Sequence, residues 1–359
     1  MSFTPKVAVV ILNWNGIKYL RRFLPSVLSS IYPNLEIIVG DNASTDGSVA
    51  FIQEEYPSVR IIQNDKNYGF TGGYNKVLEH VDADYFILLN SDVEVSPGWI
   101  APVITLMESD AKIAVAAPKI MAFDRKTHFE HAGAAGGFID CLGYPFCRGR
   151  MFYEMEEDKG QYPQSGEVFW ATGAAMFIKK HCWQEAGGFD DRFFAHMEEI
   201  DLCWRLKNMD YKVMYCADSQ VFHLGGGTLD TENPFKTYLN FRNNLLLLQN
   251  NLPFWRALFT ITARIWLDLL AIFRFLGEGK KKDAWAVSRA HQNFVLGLFT
   301  GKSRKSAGWN KKAADSNGVM PVKLHKHYPL SCIYKGSIVW AFFIKKKKYF
   351  TDLNQSDFL

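Results

Sequence analysis

Along the first hundred residues, short apolar runs alternate with stretches of helical spacing. The runs at 7–12, 35–40, 59–63 and 85–89 are apolar or β-branched, of strand length, and bounded by Asn, Asp and Gly, so they read as strands buried on both faces. Between them, residues 17–30, 48–56 and 73–81 place apolar side chains at helical intervals. Such alternation with short links predicts right-handed βαβ units, an α/β fold and a parallel sheet. A second, less regular stretch reads as a strand at 169–179, a helix at 198–207 and a strand at 212–215. Residues 124–165, rich in Gly, Tyr and charge without a period, read as a long loop region over a site.

From residue 254 the pattern changes. Residues 254–276 are strongly apolar yet broken by Arg256, Arg264, Asp268 and Arg274. Each charge at a bilayer centre costs about 3 kcal/mol, which argues against a spanning helix and for one lying in the interface plane. Residues 337–344, apolar and followed by Lys345 to Lys348, are too short to span but suit the headgroup boundary of an anionic leaflet. Two parts are therefore expected: a catalytic domain over 1–250 and a basic, mainly helical extension over 251–359.

Charge sharpens that division. Up to Pro253 there are 22 Lys and Arg against 31 Asp and Glu; from Phe254 onward there are 19 against 6. The lysines of the second part sit beside aliphatic runs rather than spaced aromatics, which favours an anionic membrane surface and excludes nucleic acid as a partner. With 48% hydrophobic and 15% aromatic residues in 359, the chain is neither disordered nor fibrous. Its six cysteines form no CxxC pair, so no zinc or disulfide framework is expected. The opening residues lack the features of a secretory signal, which predicts a cytoplasmic protein peripheral to the inner face of the cell membrane.

Ligands of parallel sheets bind at the carboxyl ends of the strands, and here those ends are polar. They carry Asn13-Trp14-Asn15-Gly16, Asp41-Asn42-Ala43-Ser44-Thr45-Asp46-Gly47, Asn67-Tyr68-Gly69 and Asn90-Ser91-Asp92. Asp92 follows a fully apolar strand, at the edge where a hard divalent cation takes oxygen ligands and bridges phosphates. The glycines between Asn67 and Asn75 match neither a dinucleotide fingerprint nor a P-loop. They leave open a nucleoside diphosphate held partly through a metal.

These segments, with Thr172-Gly173-Ala174-Ala175, Gly187-Gly188-Phe189-Asp190, Glu198-Glu199-Ile200-Asp201 and His223-Leu224-Gly225-Gly226-Gly227-Thr228, resemble in order and spacing the family 2 glycosyltransferases, particularly the bacterial rhamnosyltransferase-like branch. The resemblance spans about residues 5–250. It implies the GT-A fold, a Rossmann-like nucleotide-diphospho-sugar transferase domain, and an inverting transfer to a hydroxyl of a glycan, lipid-linked and destined for the bacterial surface. It also implies Mg²⁺ or Mn²⁺ as cofactor.

By the same resemblance Asp41 binds the base or ribose of the donor, and Asn13, Asn15, Asn67, Gly72, Asn75 and Asp92 line the nucleotide-sugar site. Asp92 and His223 hold the metal against the diphosphate, and the loop 225–227 closes over it. The family usually has Glu-Asp, one residue, then Asp at its base motif. Here Glu199 stands in place of the first Asp; a longer carboxylate still accepts a proton, while a misplacement of ~1 Å costs ~100-fold. Asp201 is the alternative base. A chain that binds donor without turnover, as a scaffold, is the alternative function.

Overall fold

The computed structural model describes residues 4–130, 133–225, 233–300 and 330–359. In chain order the first elements are β1 (Val7–Asn13), α1 (Ile17–Leu28), β2 (Leu35–Asp41), α2 (Ser48–Glu55), β3 (Arg60–Gln63), α3 (Gly69–Leu78) and β4 (Tyr85–Asn90). β3, β2, β1 and β4 lie side by side and parallel. Alternation along β1 divides the core. Val7, Val9 and Ile11 pack with Leu20, Leu24 and Val27, the inward stripe of α1. Ala8 and Val10 pack on the other face with Tyr74, Val77 and Leu78 of α3. Helix α3 approaches closely because Gly40 and Gly73 have no side chain: a Cβ at Gly40 would meet Val77 at 2.6 Å, and one at Gly73 would meet Leu12 at 2.8 Å.

The sheet then becomes mixed. After β5 (Val93–Val95), α4 (Ile100–Glu108) and β6 (Ile113–Ala122) come β7 (Arg125–Phe129), β8 (Gly137–Asp140), β9 (Pro145–Cys147), β10 (Arg150–Met151), β11 (Glu154–Met155), β12 (Gly166–Val168) and β13 (Ala175–Lys179). Helices α5 (Lys180–Ala186) and α6 (Glu198–Lys207) precede β14 (Lys212–His223). β13 runs antiparallel between β4 and β6, and β14 extends the sheet beside β6. The strand expected over 169–179 is confined to its last five residues, because Trp170 turns aside to bridge Gly137.

Residues 124–165 are not the loop that their composition suggests. β8 to β11 form most of a five-stranded sheet, whose remaining strand, β15 (Ile333–Tyr334), comes from the far end of the chain. Two of its turns use Gly143 and Gly149 at positive φ. Strands of two to four residues, one pairing with a partner some 190 residues away, leave no period to read.

Helices α7 (Pro234–Asn251), α8 (Phe254–Gly277) and α9 (Lys281–Thr300) follow. A boundary after residue 250 falls in the last turn of α7, and Leu245 to Leu248, Phe294, Ile338 and Phe342 join the same core as α3 and β14. Helix α8 is amphipathic in an inverted sense. Arg264 and Asp268 are buried: the Arg264 Nη1 donates to Asn244 Oδ1 at 2.6 Å, and His291 Nε2 lies 3.0 Å from Asp268 Oδ2. Phe254, Trp255, Phe259, Trp266, Leu270 and Phe273 face outward, with Trp255 78% exposed. Among the described residues no helix is long and apolar enough to cross a membrane.

Candidate active site

The carboxyl ends of β2, β1 and β4 bring Asp41, Asn13 and Asn90 into one row, since Asn13 pairs in register with Asp41 and Leu12 with both Gly40 and Asn90. Adjacent strands stand ~4.8 Å apart, so this row is long enough for a nucleoside at one end and its phosphates at the other. Asn13 and Asp41 are buried; the Asn13 Nδ2 donates to Asp41 Oδ1 at 3.2 Å and to Ser44 Oγ at 3.1 Å, while the Asn13 Oδ1 has no partner among the described residues. The Asp41 Oδ2 accepts from the backbone N–H of Ser44 at 2.9 Å. Asn15, at φ 50°, laces the same two loops, its backbone N–H donating to Ser44 Oγ and its Oδ1 accepting from Thr45 N at 2.7 Å.

Three further expected nucleotide-site residues are structural in their contacts. The Asn67 Oδ1 accepts from Asn42 Nδ2 and from Gly69 N, pinning the start of α3. Gly72 lies buried in the first turn of α3, where a Cβ would meet Tyr68 at 3.0 Å. Asn75 spends its amide on the loop before α6, donating to Phe189 O and Asp191 Oδ1 and accepting from Phe189 N. Asn42, which the sequence pattern did not single out, organises this corner with bonds to Asn67, Gly69, Asn64 and Tyr68.

At the other end of the row, the antiparallel pairing of β5 with β14 sets His223 opposite Val93, next to Asp92. The His223 Nε2 is 3.2 Å from Asp92 Oδ1, and its Nδ1 is 3.0 Å from Glu130 Oε2. Burial opposes a charge on this ring, but the hydrogen bonds to Asp92 and Glu130 outweigh it and raise its pKa to about 10. Glu130 was missed because it ends a strand in the stretch read as loop. Its signal was an acid beside two histidines, His128 and His131.

With no cation present both ring nitrogens of His223 hold protons and donate to Asp92 and Glu130; the donor set fits a divalent cation that displaces the Nε2 proton. Two cis ligands at about 2.1 Å from a metal stand about 3 Å apart, close to the Asp92–His223 separation, and a carboxylate on the second ring nitrogen is the usual support for a ligating histidine. No cluster of three or more His, Cys, Asp or Glu fit to cage a metal occurs among the described residues. Of the glycines expected to close over it, 226 and 227 lie outside the described residues; a Cβ on Gly225 would meet Glu130 at 2.9 Å.

The third part is the start of α6. Phe194, His196 and Met197 all hold positive φ, of 65°, 68° and 73°, a strain that persists only where surroundings over-determine it. Here Asn243 of α7 does so, its Nδ2 within 2.9 Å of the carbonyls of Phe193, Ala195 and His196. The helix that follows presents Glu198 and Glu199, each with an Oε2 that has no partner among the described residues. Burial pushes the Glu199 carboxyl up to about 7, against the pull of backbone groups at Met197, Glu199 and Ile200. Burial and then Glu199 raise Glu198 further. Glu199 also lies against Gly173, where a Cβ would stand 4.0 Å from its own. Burial pushes the Cys147 thiol up to about 12, and Glu130 and Glu199 both add to the rise.

Asp201 is engaged elsewhere. It is fully buried; Arg205 Nε donates to its Oδ2 at 2.7 Å, and the amides of Asn250 and Asn251 donate to its Oδ1. It ties α6 to α7. The asparagines 243, 244, 250 and 251 mark α7 as unusual in sequence, since Asn is a poor helix former retained where its amide finds partners, but their partners could not be read there. Trp170 and Trp204 are both buried core residues.

The row of polar strand ends, the Asp92–His223–Glu130 cluster and the carboxylate of Glu199 with its raised pKa lie on a mixed α/β sheet with a helical C-terminal region. The sequence profile described as glycosyl transferase family 2 matches residues 8–183, which form a family 2 glycosyltransferase region, and curated rhamnosyltransferases are among the proteins the chain is similar to. The chain is 25% identical over 235 residues to the N-acetylglucosaminyl-diphospho-decaprenol L-rhamnosyltransferase of Mycobacterium tuberculosis, covering 61% of this chain and 76% of that one. It is 24% identical to the O-antigen biosynthesis protein RfbC of Myxococcus xanthus, over 61% of this chain and 17% of that one. The fold is that of GalNAc-T7 solved with UDP, GalNAc and Mn²⁺ (TM-score 0.54, 16% identity, 69% of this chain and 48% of that one). It is also that of the mannosyltransferase PcManGT from Pyrobaculum calidifontis with GDP-Man and Mn²⁺ (TM-score 0.51, 12% identity, 82% and 88%).

Proposed function

We propose that this chain is an inverting, metal-dependent glycosyltransferase that moves a sugar from a nucleotide-diphosphate donor to a hydroxyl of a lipid-linked glycan in bacterial surface polysaccharide synthesis. The observation that carries this reading is Glu199, a half-buried carboxylate whose Oε2 is buried without a partner among the described residues and whose pKa rises to about 7; it lies against Gly173, whose neighbour Ala174 accepts from the backbone N–H of Asn90 at the end of β4. A general base works best with a pKa near the working pH. Asp41 and Asn13 hold the nucleoside; Asp92 and His223 would hold Mg²⁺ or Mn²⁺, which would supply charge neutralisation to the departing diphosphate. Glu199 takes the acceptor hydroxyl proton as that oxygen bonds to the anomeric carbon. The bond to the diphosphate breaks, its electron pair leaves with the nucleoside diphosphate, and the anomeric configuration inverts. Asp201, saturated by Arg205 and two asparagines, positions α6.

The extension would rest on an anionic leaflet through the outward aromatic face of α8, flanked by the exposed Arg256, Arg274 and Lys280 to Lys282. A lipid-linked acceptor is what such a placement serves. The test is transfer from UDP-, dTDP- and GDP-sugars to isoprenoid-diphosphate-linked acceptors with Mn²⁺, on wild type and Glu199→Gln. Transfer that disappears in Glu199→Gln while nucleotide binding persists is the expected result. Nucleotide binding without any transfer by the wild type would make the chain a donor-binding scaffold.

A further inference from the structure

A cavity of about 390 Å³ lies between α7, α9 and the turn at Asp191–Phe193, lined by Arg192, Tyr238, Arg242, Leu246, Phe294 and Leu296 among others. Its size falls in the range of small-ligand pockets, roughly 300–1,000 Å³. Its lining holds two chemistries: Arg192 and Arg242 with the polar Tyr238, Asn293 and Thr300, and the apolar Leu246, Phe294 and Leu296, with no Asp or Glu among them. Arg192 is neutralised by Asp190. Arg242 has no carboxylate partner among the described residues: its Nε and Nη2 donate to Asn243 Oδ1 and to the carbonyls of Arg192 and Phe193, leaving Nη1 for a ligand. A half-buried cation with spare donors is a phosphate-binding group.

The apolar part of the lining reaches the surface along α9. Leu246 and Phe294 are buried in the wall, Leu296 is exposed, and Phe299 one turn on is 85% exposed. The same turn that brings Arg192 to the cavity continues through Phe194, which underlies Gly69 of the donor site, to Glu199. Phe194, Phe235 and Tyr238 form a continuous aromatic track from that loop to the cavity, with ring centroids 6.1 and 5.9 Å apart.

We infer that this cavity binds the phosphate and the first isoprenoid units of the lipid-linked acceptor, with Arg242 on the anionic group and the chain running between Leu246, Phe294 and Leu296 toward the exposed face of α9. The inference rests on the transferase reading above and adds where the acceptor's lipid phosphate sits. It commits to an amphiphile because the cation and the apolar wall share one cavity that opens beside exposed aliphatic side chains.

The test titrates the full chain with farnesyl diphosphate, inorganic pyrophosphate and farnesol below their aggregation limits. It is repeated on Arg242→Gln, Arg242→Lys and Leu296→Glu, with folding checked by circular dichroism. Farnesyl diphosphate should bind at least tenfold tighter than either fragment, and lose at least tenfold in Arg242→Gln and in Leu296→Glu, with Arg242→Lys between. Equal binding by wild type and variants, no binding, or binding no tighter than pyrophosphate or farnesol would each overturn it. A parallel titration with UDP, dTDP and GDP plus Mn²⁺ separates the two claims. Nucleotide binding with an indifferent farnesyl diphosphate result removes the cavity assignment alone, whereas failure of every nucleotide removes the transferase reading.

Discussion

His223 joins two carboxylates that sequence places 38 residues apart, Asp92 at 3.2 Å from its Nε2 and Glu130 at 3.0 Å from its Nδ1. Because Glu130 holds the second nitrogen, it fixes which face of the ring meets Asp92. Glu130→Gln is expected to weaken Mn²⁺ affinity, measured as the metal dependence of nucleotide binding, by about 10–100-fold, the usual effect of removing a ligand's support. An unchanged metal titration would separate Glu130 from the metal site.

Glu199 gives a pH signature. A base must be ionised, so kcat should rise with pH through about 7, the value to which burial lifts this carboxyl. Glu199→Gln should lose about 100-fold or more, and Glu199→Asp should retain part of the activity with the midpoint moved. The sign for stability is opposite. The folded-state pKa lies above the usual 4.5, so this group's contribution is complete below about 4.5 and is lost as pH rises through about 7. Urea midpoints of wild type should therefore fall over that window relative to those of Glu199→Gln.

Asp201 and Arg205 form a fully buried pair one helical turn apart. Removing one partner leaves the other charge buried and unpaired, a loss of about 3–5 kcal/mol. Asp201→Ala should lower the denaturation midpoint by that much. A loss under about 1 kcal/mol would contradict the anchoring role.

The outward face of α8 predicts partition to vesicles. Burial of one aromatic side chain contributes about 1.5–3 kcal/mol, so Phe259→Asp and Trp266→Asp should each reduce sedimentation with phosphatidylglycerol vesicles at least tenfold. Added salt should weaken the wild type as well. Equal binding to neutral vesicles would remove the electrostatic part.

The four parallel strands and their polar ends were legible because doubly buried strands are continuous apolar runs and because their ligating residues follow them directly. The acidic start of α6 was legible by family spacing, while the unpartnered Oε2 of Glu199 was not. Glu130, Asn42 and Asn243 were not, since each acts through a partner far along the chain: Glu130 through His223, Asn243 through the carbonyls before α6. That α8 does not span a membrane was legible from its charges, yet only the fold shows Arg264 and Asp268 turned inward to Asn244 and His291. Residues 124–165 hid a small sheet because its strands are shorter than a readable period.

The central claim is that the strand ends hold a nucleoside diphosphate through a metal on Asp92. Differential scanning fluorimetry against UDP, dTDP and GDP, each with and without Mn²⁺, on wild type and Asp92→Ala, tests it most directly. A native-state ligand at ~100 Kd adds ~2.7 kcal/mol of stability. The account predicts a metal-dependent shift with one nucleotide that Asp92→Ala abolishes; no shift with any of them, or an equal shift in Asp92→Ala, would contradict it.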